Sequence, residues 1–314
     1  MGKLIVNRLG FGVLTLFVVS LVVFTLTVLL PGDAAQAALG QAATPDAVAA
    51  LRTKMGLDVL PHLRYVHWLG GMLTGDFGYS LVNNTPVNDL LASRLPMSLM
   101  LGAATAAVSI PLALVLGIVS AMRRGSMLDR ALNLGTLSVV AVPEFLVATI
   151  AVLVFAVKLG WLSALSFASD VDSVGSFLRA YALPVMTLCC VITAQMARMT
   201  RAALVEQLGA SYVEMAILKG AKPTRVVLTH ALPNAIGPIA NAVAFALSYL
   251  LSGVVIVETI FNYPGVASMM VDAVANRDIP LVQACAMIFS AAYLVMVLLA
   301  DLTAILSNPR LRHG

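Results

Sequence analysis

Charge is scarce in this chain. Only 11% of its 314 residues are Asp, Glu, Lys or Arg, against about 25% in soluble domains. Too few ions are available to coat a water-soluble globule. Cysteine is scarcer still: Cys189 and Cys190 are adjacent in one apolar segment and Cys285 lies in another. Neighbouring cysteines rarely bridge, and a lone one in an apolar run is a small core residue, so no disulfide framework or metal site is expected. The four histidines, His62, His67, His230 and His313, are scattered. His62 and His67 are five positions apart and fall on different helix faces, which argues against a metal pair. No GxxxxGK[ST] phosphate loop occurs, and Gly220-Ala221-Lys222 lacks both the upstream glycine and the following hydroxyl. If ATP drives this protein, another chain must hydrolyse it. GxSxG and HExxH arrangements are also missing, which argues against an enzyme. No aromatic residues interleave the basic ones in the way nucleic-acid binding would need.

What the chain has is apolar length. Hydrophobic residues make up 60% of it and the mean hydropathy is +0.96. The expected class is an all-α polytopic membrane protein of six helices. The spans are expected at Leu4–Leu30, Ser98–Met122, Leu132–Val157, Tyr181–Met199, Ile236–Val257 and Leu281–Leu306. The corresponding division is a first helix over 1–30, an extracytoplasmic insertion over 31–97, a transmembrane core over 98–306 and a tail over 307–314. Ala35-Gln36-Ala37 imitates a signal-cleavage site, but the apolar run before it is longer than the about 7–15 residues a signal core needs. It therefore reads as a retained helix. In the insertion, Thr44-Pro45-Asp46 starts a short helix that Gly56 ends, and Pro61 starts another carrying Leu63, Val66, Leu69 and Leu73. Gly102, Ala103, Ala106 and Ala107 set small residues four apart in the second span, so that helices can approach closely.

Charge placement orients the bundle. Twelve of the 19 basic residues fall on the segments taken as cytoplasmic: Lys3, Arg8, Arg123, Arg124, Arg130, Arg198, Arg201, Lys219, Lys222, Arg225, Arg310 and Arg312. The longer external segments hold the rest. This bias puts both termini in the cytoplasm of a bacterial inner membrane. Most of the acids lie outside, which is weaker support because acids contribute little to orientation.

One polar, basic island interrupts the apolar pattern between Arg198 and Pro233. Within it, Ser211 to Ala235 reads helix, break, helix. Ser211 and Glu214 stand at capping-box spacing. Tyr212, Met215, Ala216 and Lys219 follow at intervals that place them on one face. Gly220 suits the left-handed end of such a helix, Pro223 the first turn of a second, and Pro233 is expected to stop that one by Leu232. Two short amphipathic helices between spans form a docking element for a soluble partner.

The same island carries a family resemblance. Glu214-Met215-Ala216, three residues, Gly220, eleven residues and Leu232-Pro233 resemble the EAA signature of permease subunits of binding-protein-dependent ABC importers. Met215 stands where the family has alanine, and His230 where isoleucine is common. Tyr212 to Ala216, Lys219-Gly220 and His230-Ala231-Leu232, with Asn234-Ala235, resemble the dipeptide/oligopeptide/nickel branch. So do Gly75-Asp76-Phe77-Gly78-Tyr79-Ser80, Arg94-Leu95-Pro96 and the loop with Glu258, Pro264-Gly265 and Arg277-Asp278. Ala267 and Asn308 depart from the family pattern, which more often has Gly and Asp there. The resemblance implies ATP-driven import by alternating access, with a cytoplasmic loop that fits a groove on the ATPase. It implies a second homologous permease, two ATPase subunits or domains holding ATP and Mg, and an extracytoplasmic substrate-binding protein, with no cofactor in this chain. It implies coupling roles for Tyr212, Glu214, Ala216, Lys219, Gly220, His230, Leu232 and Pro233: Glu214 positions the helices, Ala216 and Gly220 pack on the ATPase, and Leu232-Pro233 make a rigid return. Peptides lead as cargo, with nickel chelates, glutathione and other small solutes as alternatives.

Glu144 is the candidate for the translocation path. A carboxylate at mid-membrane costs about 2.5 kcal/mol or more unless it meets water or a partner. It either lines the path and meets a cation such as a peptide amino group, or hydrogen-bonds a neighbouring helix. Asp301 is expected at a subunit interface or in cytoplasmic water. Gln195, Asn241 and Ser248 are expected as bonds between helices. Lys219, Lys222 and Arg225 face either anionic lipid and acidic partner residues or plain solvent. Two readings of other classes remain: an ion-driven secondary transporter, which predicts two related halves that the sequence does not display, and a membrane scaffold that recruits a soluble protein.

Overall fold

A computed structural model describes residues 2–29, 36, 43–54, 58–166 and 173–307. The expectations placed on Leu30 to Asp33, Ala35, Ala37, Gly56, and Asn308, Pro309, Arg310 and Arg312 lie outside the described residues. Every named element is helical. The one pairing of extended backbone among the described residues is an isolated bridge between Tyr79 and Pro86. Helix α1 spans Gly2–Leu29, α2 Pro45–Lys54, α3 Pro61–Thr74 and α4 Val87–Met122. Helix α5 spans Met127–Ala141 and α6 Glu144–Ala151, which widens into a π turn at Val152–Lys158. Helix α7 spans Val174–Leu208 and α8 Ser211–Leu218. The single turn α9, Pro223–Arg225, leads through a second π turn, Val226–Ala231, into α10, Leu232–Ile260. Helices α11, Val266–Ala275, and α12, Ile279–Ser307, complete the fold. Among the described residues, five stretches are long and apolar enough to cross a membrane, and α5 with α6 makes a sixth if the bent pair counts as one span.

Helix ends follow local chemistry where a proline or glycine sets them. Pro61 occupies the first turn of α3, and Gly75, at φ +81°, closes it with its N–H on the carbonyls of Gly71 and Met72. The Ser126 hydroxyl caps α5 by accepting from the Asp129 N–H at 3.2 Å. Three expectations fail. The third span is not continuous: α5 and α6 meet at 99°. Val142 is extended, at φ −87° and ψ 127°, because the ring of Pro143 disfavours helical backbone before it. Second, α4 starts at Val87 rather than Ser98 and carries Pro96 inside it. Val87 and Leu91 are buried in a cluster with Val266, Leu281 and Cys285, and this packing outweighs the proline. Third, Pro233 ends nothing. It sits in the first turn of α10, directly after the π turn, where the Leu232 N–H reaches back five residues to Val227. The ladder changes register there, so a missing N–H is tolerated.

The described chain forms two compact units. One comprises residues Met1–Arg8, Met100–Tyr263 and Tyr293–Gly314. Its centre is the packing of α7 along α10. Leu188, Ile192 and Met196 make a buried stripe at four-residue steps on α7, and Ala242, Ala246, Leu250 and Val254 make another on α10, as interdigitated i, i+4 ridges require. Helices α4 and α7 approach closely at Gly117. A Cβ there would lie 2.7 Å from the Thr200 Cβ and 2.8 Å from the Ala197 carbonyl, so only glycine fits. In the Gly102–Ala107 stretch the fit is looser: a Cβ at Gly102 would lie 3.4 Å from the Leu250 Cδ2. Asp301, expected at a subunit interface or in cytoplasmic water, pairs with Arg8 at 2.7 Å.

The other unit comprises Leu9–Leu99 and Pro264–Ala292. Here α3 lies on α1. The rings of Tyr65 and Trp68 flank Phe24 with centroids 5.3 and 5.7 Å away, and the Tyr65 and Ser20 hydroxyls are 2.8 Å apart. The inward face of α3 is thus its aromatic one. Leu63, Val66 and Leu73 point outward and are exposed. Asp278, itself buried, ties the unit together by accepting from the Ser80 hydroxyl and from the Leu81 N–H.

Candidate coupling surface and membrane cavity

Helix α8 is the island's first helix, and its start differs from the capping-box expectation. Ala210 is the N-cap, no side chain caps the end, and Ser211 is already helical. The Glu214 N–H bonds the Ala210 carbonyl at 3.1 Å, so the Ser211 hydroxyl is not needed there. The C-terminal end fits the expectation. Gly220 has φ +79°, its N–H reaches the Ile217 carbonyl at 2.8 Å, and the Ala221 N–H reaches the Ala216 carbonyl at 3.1 Å. This pair of bonds is a Schellman closure.

The buried face of α8 is Val213 and Ala216. Tyr212, Met215 and Lys219 are exposed. Ala216 therefore packs into its own chain instead of outward onto a partner. Helix α8 lies against the π turn 226–231, whose Val226, Val227 and Ala231 are buried. Behind them, Ala121, Ala203, Leu204, Ala235 and Ile239 close a small core around which Leu208 and Leu232 pack. So α8 is fastened to the end of α7 and the beginning of α10. Its other face is bare: Met215, Ile217 and Leu218 are exposed, with Leu218 at 74%. Lys219, Lys222 and Arg225, which follow in the chain, are exposed as well, and so is Glu214. Ile217 and Leu218 were not among the residues marked from the sequence, since the EAA spacing draws the eye to Glu214 and Gly220. His230 stays with its own turn, its Nδ1 3.3 Å from the Arg225 carbonyl, and Asn234 donates to the His230 carbonyl at 2.8 Å. The Tyr212 hydroxyl donates to Gln207 at 2.8 Å. Glu214 and Pro233 are exposed, and Leu232 is half-buried. The second amphipathic helix is not separate: it runs on through the π turn into α10.

A buried carboxylate sits beside this assembly, unsuspected from the sequence. Asp129, 3% exposed, receives both Nε and Nη2 of Arg201 at 2.7 and 2.8 Å. Ser120 donates at 2.5 Å, the Gly125 N–H at 2.9 Å and Asn133 at 2.8 Å. A carboxylate this fully satisfied can be buried without being orphaned. It fixes the turn between α4 and α5 to α7. Only the Ser126–Asp129 spacing hinted at order here, and nothing in it pointed to Arg201.

Helices α5, α7 and α10 border an open pocket of about 650 Å³ with Asn133, Gln195, Arg198, Arg201 and Tyr249 in its wall. Glu144, the predicted path residue, is not part of that wall. It starts α6 just past the bend, and its Oε1 is buried with no hydrogen-bond partner. Gly253 makes room for it: a Cβ there would lie 3.0 Å from both carboxylate oxygens and 3.2 Å from Leu188. Gln195 faces the cavity. Asn241 is exposed, and Ser248 bonds within its own helix to Ala244, so neither of these two joins helices. Among the described residues, no group of His, Cys, Asp or Glu has the makings of a metal site.

Comparison with known proteins decides the family. Residues 113–313 match the model of the binding-protein-dependent transport system inner membrane component, and residues 1–102 match that of the N-terminal part of such membrane components. The chain belongs to this family. It is a permease subunit of a binding-protein-dependent ABC importer, a multi-pass inner-membrane protein that works with a substrate-binding protein and ATPase components. A probable peptide ABC transporter permease protein of Sinorhizobium fredii is 34% identical over 313 residues, covering 100% of both chains. A putative peptide transport system permease protein of Brucella abortus is 32% identical, also over 100% of both. The glutathione transport system permease protein of Escherichia coli is 34% identical over 309 residues, 98% of each. The permease is thus matched along its whole length, and the bare face of α8 lies inside the matched core.

Proposed function

We propose that this permease imports short peptides by alternating access, with α8 as the part pushed by the ATPase. The observation that carries the coupling half is the uncovered face of α8: Met215, Ile217 and Leu218 are exposed, and exposed Lys219, Lys222 and Arg225 follow them in the chain. Apolar side chains left exposed beside charged ones mark interaction surfaces. In this reading ATP closes a pair of ATPase subunits or domains around the lever, and α7 and α10 move with it because α8 is fastened to both. The pathway then opens to the outside, where the loaded binding protein delivers its cargo, and hydrolysis resets it. A second homologous permease supplies the other half of the path, and both termini lie in the cytoplasm. The cargo assignment leans on the two peptide-transport relatives; the glutathione relative keeps that tripeptide as the second reading.

The test is purification and reconstitution. ATPase subunits should come down with the tagged permease, and vesicles holding the complex should accumulate peptide only with ATP and binding protein. ATP-independent uptake driven by an ion gradient would defeat the proposal. Uptake of glutathione with no uptake of other peptides would select the second cargo.

A further inference from the structure

The cavity between α5, α7 and α10 has an unbalanced wall. Gln195, Arg198, Met199 and Ala202 line it at positions i, i+3, i+4 and i+7 of α7, so one helix face looks into it. Two cations are on that wall. Arg201 is spent: its Nε and Nη2 both donate to Asp129. Arg198, one turn earlier, makes no hydrogen bond or ion pair with any described residue. No carboxylate lines the cavity among the described residues. Asn133 has committed its amide nitrogen to Asp129. The donors left on this wall belong to Arg198 and Tyr249, both exposed, and to half-buried Gln195. A volume of about 650 Å³ falls within the range of about 300–1,000 Å³ typical of small-molecule sites.

We infer that Arg198 is a cargo-contacting residue, which takes a small solute in passage by its free carboxylate. A guanidinium fork matches a carboxylate in shape as well as charge. The amide of Gln195 and the hydroxyl of Tyr249 add donors for the remaining oxygen lone pairs. Asp129 has a part in this selectivity, because it cancels Arg201 and leaves a single positive centre on the wall. One oxyanion receptor fits a short peptide's C-terminus. The same chemistry would also hold a lipid phosphate, so the test must separate the two sources. The inference rests on the importer reading and adds to it the residue that meets the cargo.

The experiment uses the full importer in vesicles with saturating loaded binding protein, measuring peptide uptake and ATP hydrolysis side by side. Wild type is compared with Arg198→Lys, Arg198→Met and Arg198→Glu, each in neutral lipid and in lipid with added phosphatidylglycerol. Uptake per vesicle should fall at least about tenfold in Arg198→Met and further in Arg198→Glu, as removal or reversal of one partner of a charge pair implies. Arg198→Lys should keep an intermediate rate. Hydrolysis stimulated by the binding protein should persist, and lipid charge should not change the order. Uptake and hydrolysis falling together, in the lysine variant too, would mean a structural role and overturn the inference. Losses that follow the phosphatidylglycerol content would assign Arg198 to a lipid headgroup, and undiminished uptake in all variants would overturn it equally. If the wild-type importer itself takes up no peptide with ATP, the importer reading has failed instead.

Discussion

At Gly220 the backbone turns through φ +79°, and a Cβ placed there would meet nothing within 4 Å. The requirement is therefore conformational, not steric. A non-glycine residue in this region costs about 1–2 kcal/mol, least for asparagine. Gly220→Val should loosen the end of α8 and lower peptide uptake per ATP hydrolysed, while Gly220→Asn should recover much of it; a paired uptake and phosphate-release assay checks this. Asp129 presents the opposite situation, a side chain with every lone pair engaged. Asp129→Asn leaves the Arg201 charge half-buried without its counter-ion, a class of change that costs about 3–5 kcal/mol. The expected outcome is a marked fall in the melting temperature of the detergent-purified permease. Removing both charges together should cost less than either alone, which a double-mutant cycle would show. Glu144 carries an unpartnered oxygen already, so Glu144→Gln should leave assembly intact while changing the uptake rate; uptake equal to wild type would remove it from the path.

Among elements, α8 carries the most direct prediction. Leu218→Asp puts a charge on the exposed face of α8 without touching Val213 or Ala216, which hold the helix in place. The permease should insert normally and lose its ATPase subunits on purification, whereas Val213→Asp should disturb the fold itself. The comparison separates the two faces that the sequence merged. Much of this element was legible beforehand. Pro223 and Gly220 mark the ends of the break because each acts through its own backbone. What was not legible depends on neighbours. Ser211 and Glu214 match a capping box by spacing, yet Ala210 takes the cap position. Pro233 looks like a stop until the π turn before it shifts the hydrogen-bond register. Pro143 lies inside an apolar run, where hydropathy counts side chains and is blind to the extended backbone that proline imposes on Val142. Asp129 and Arg201 lie 72 residues apart, and no local pattern joins them.

For the whole molecule, the six expected spans survive in number only if α5 and α6 are taken together. Hydropathy finds the apolar mass correctly, but not where α4 begins, since that depends on what buries Val87 and Leu91. The orientation inferred from the basic residues is checked by labelling. In a chain with its three cysteines replaced by alanine, Asn83→Cys should react with an impermeant maleimide on intact cells. Lys222→Cys should react only after the cells are opened. The reverse pattern would put α8 out of reach of any ATPase.

From Pro223 to Ile260 the chain winds without a joint: single turn, π turn and α10 follow one another with no extended residue between them. The π turn, Pro233 and Pro238 are its weak points, because long helices bend at such places. A push on one end would be shared between tilting the shaft and flexing it there, and the travel at the far end is set by how that share divides.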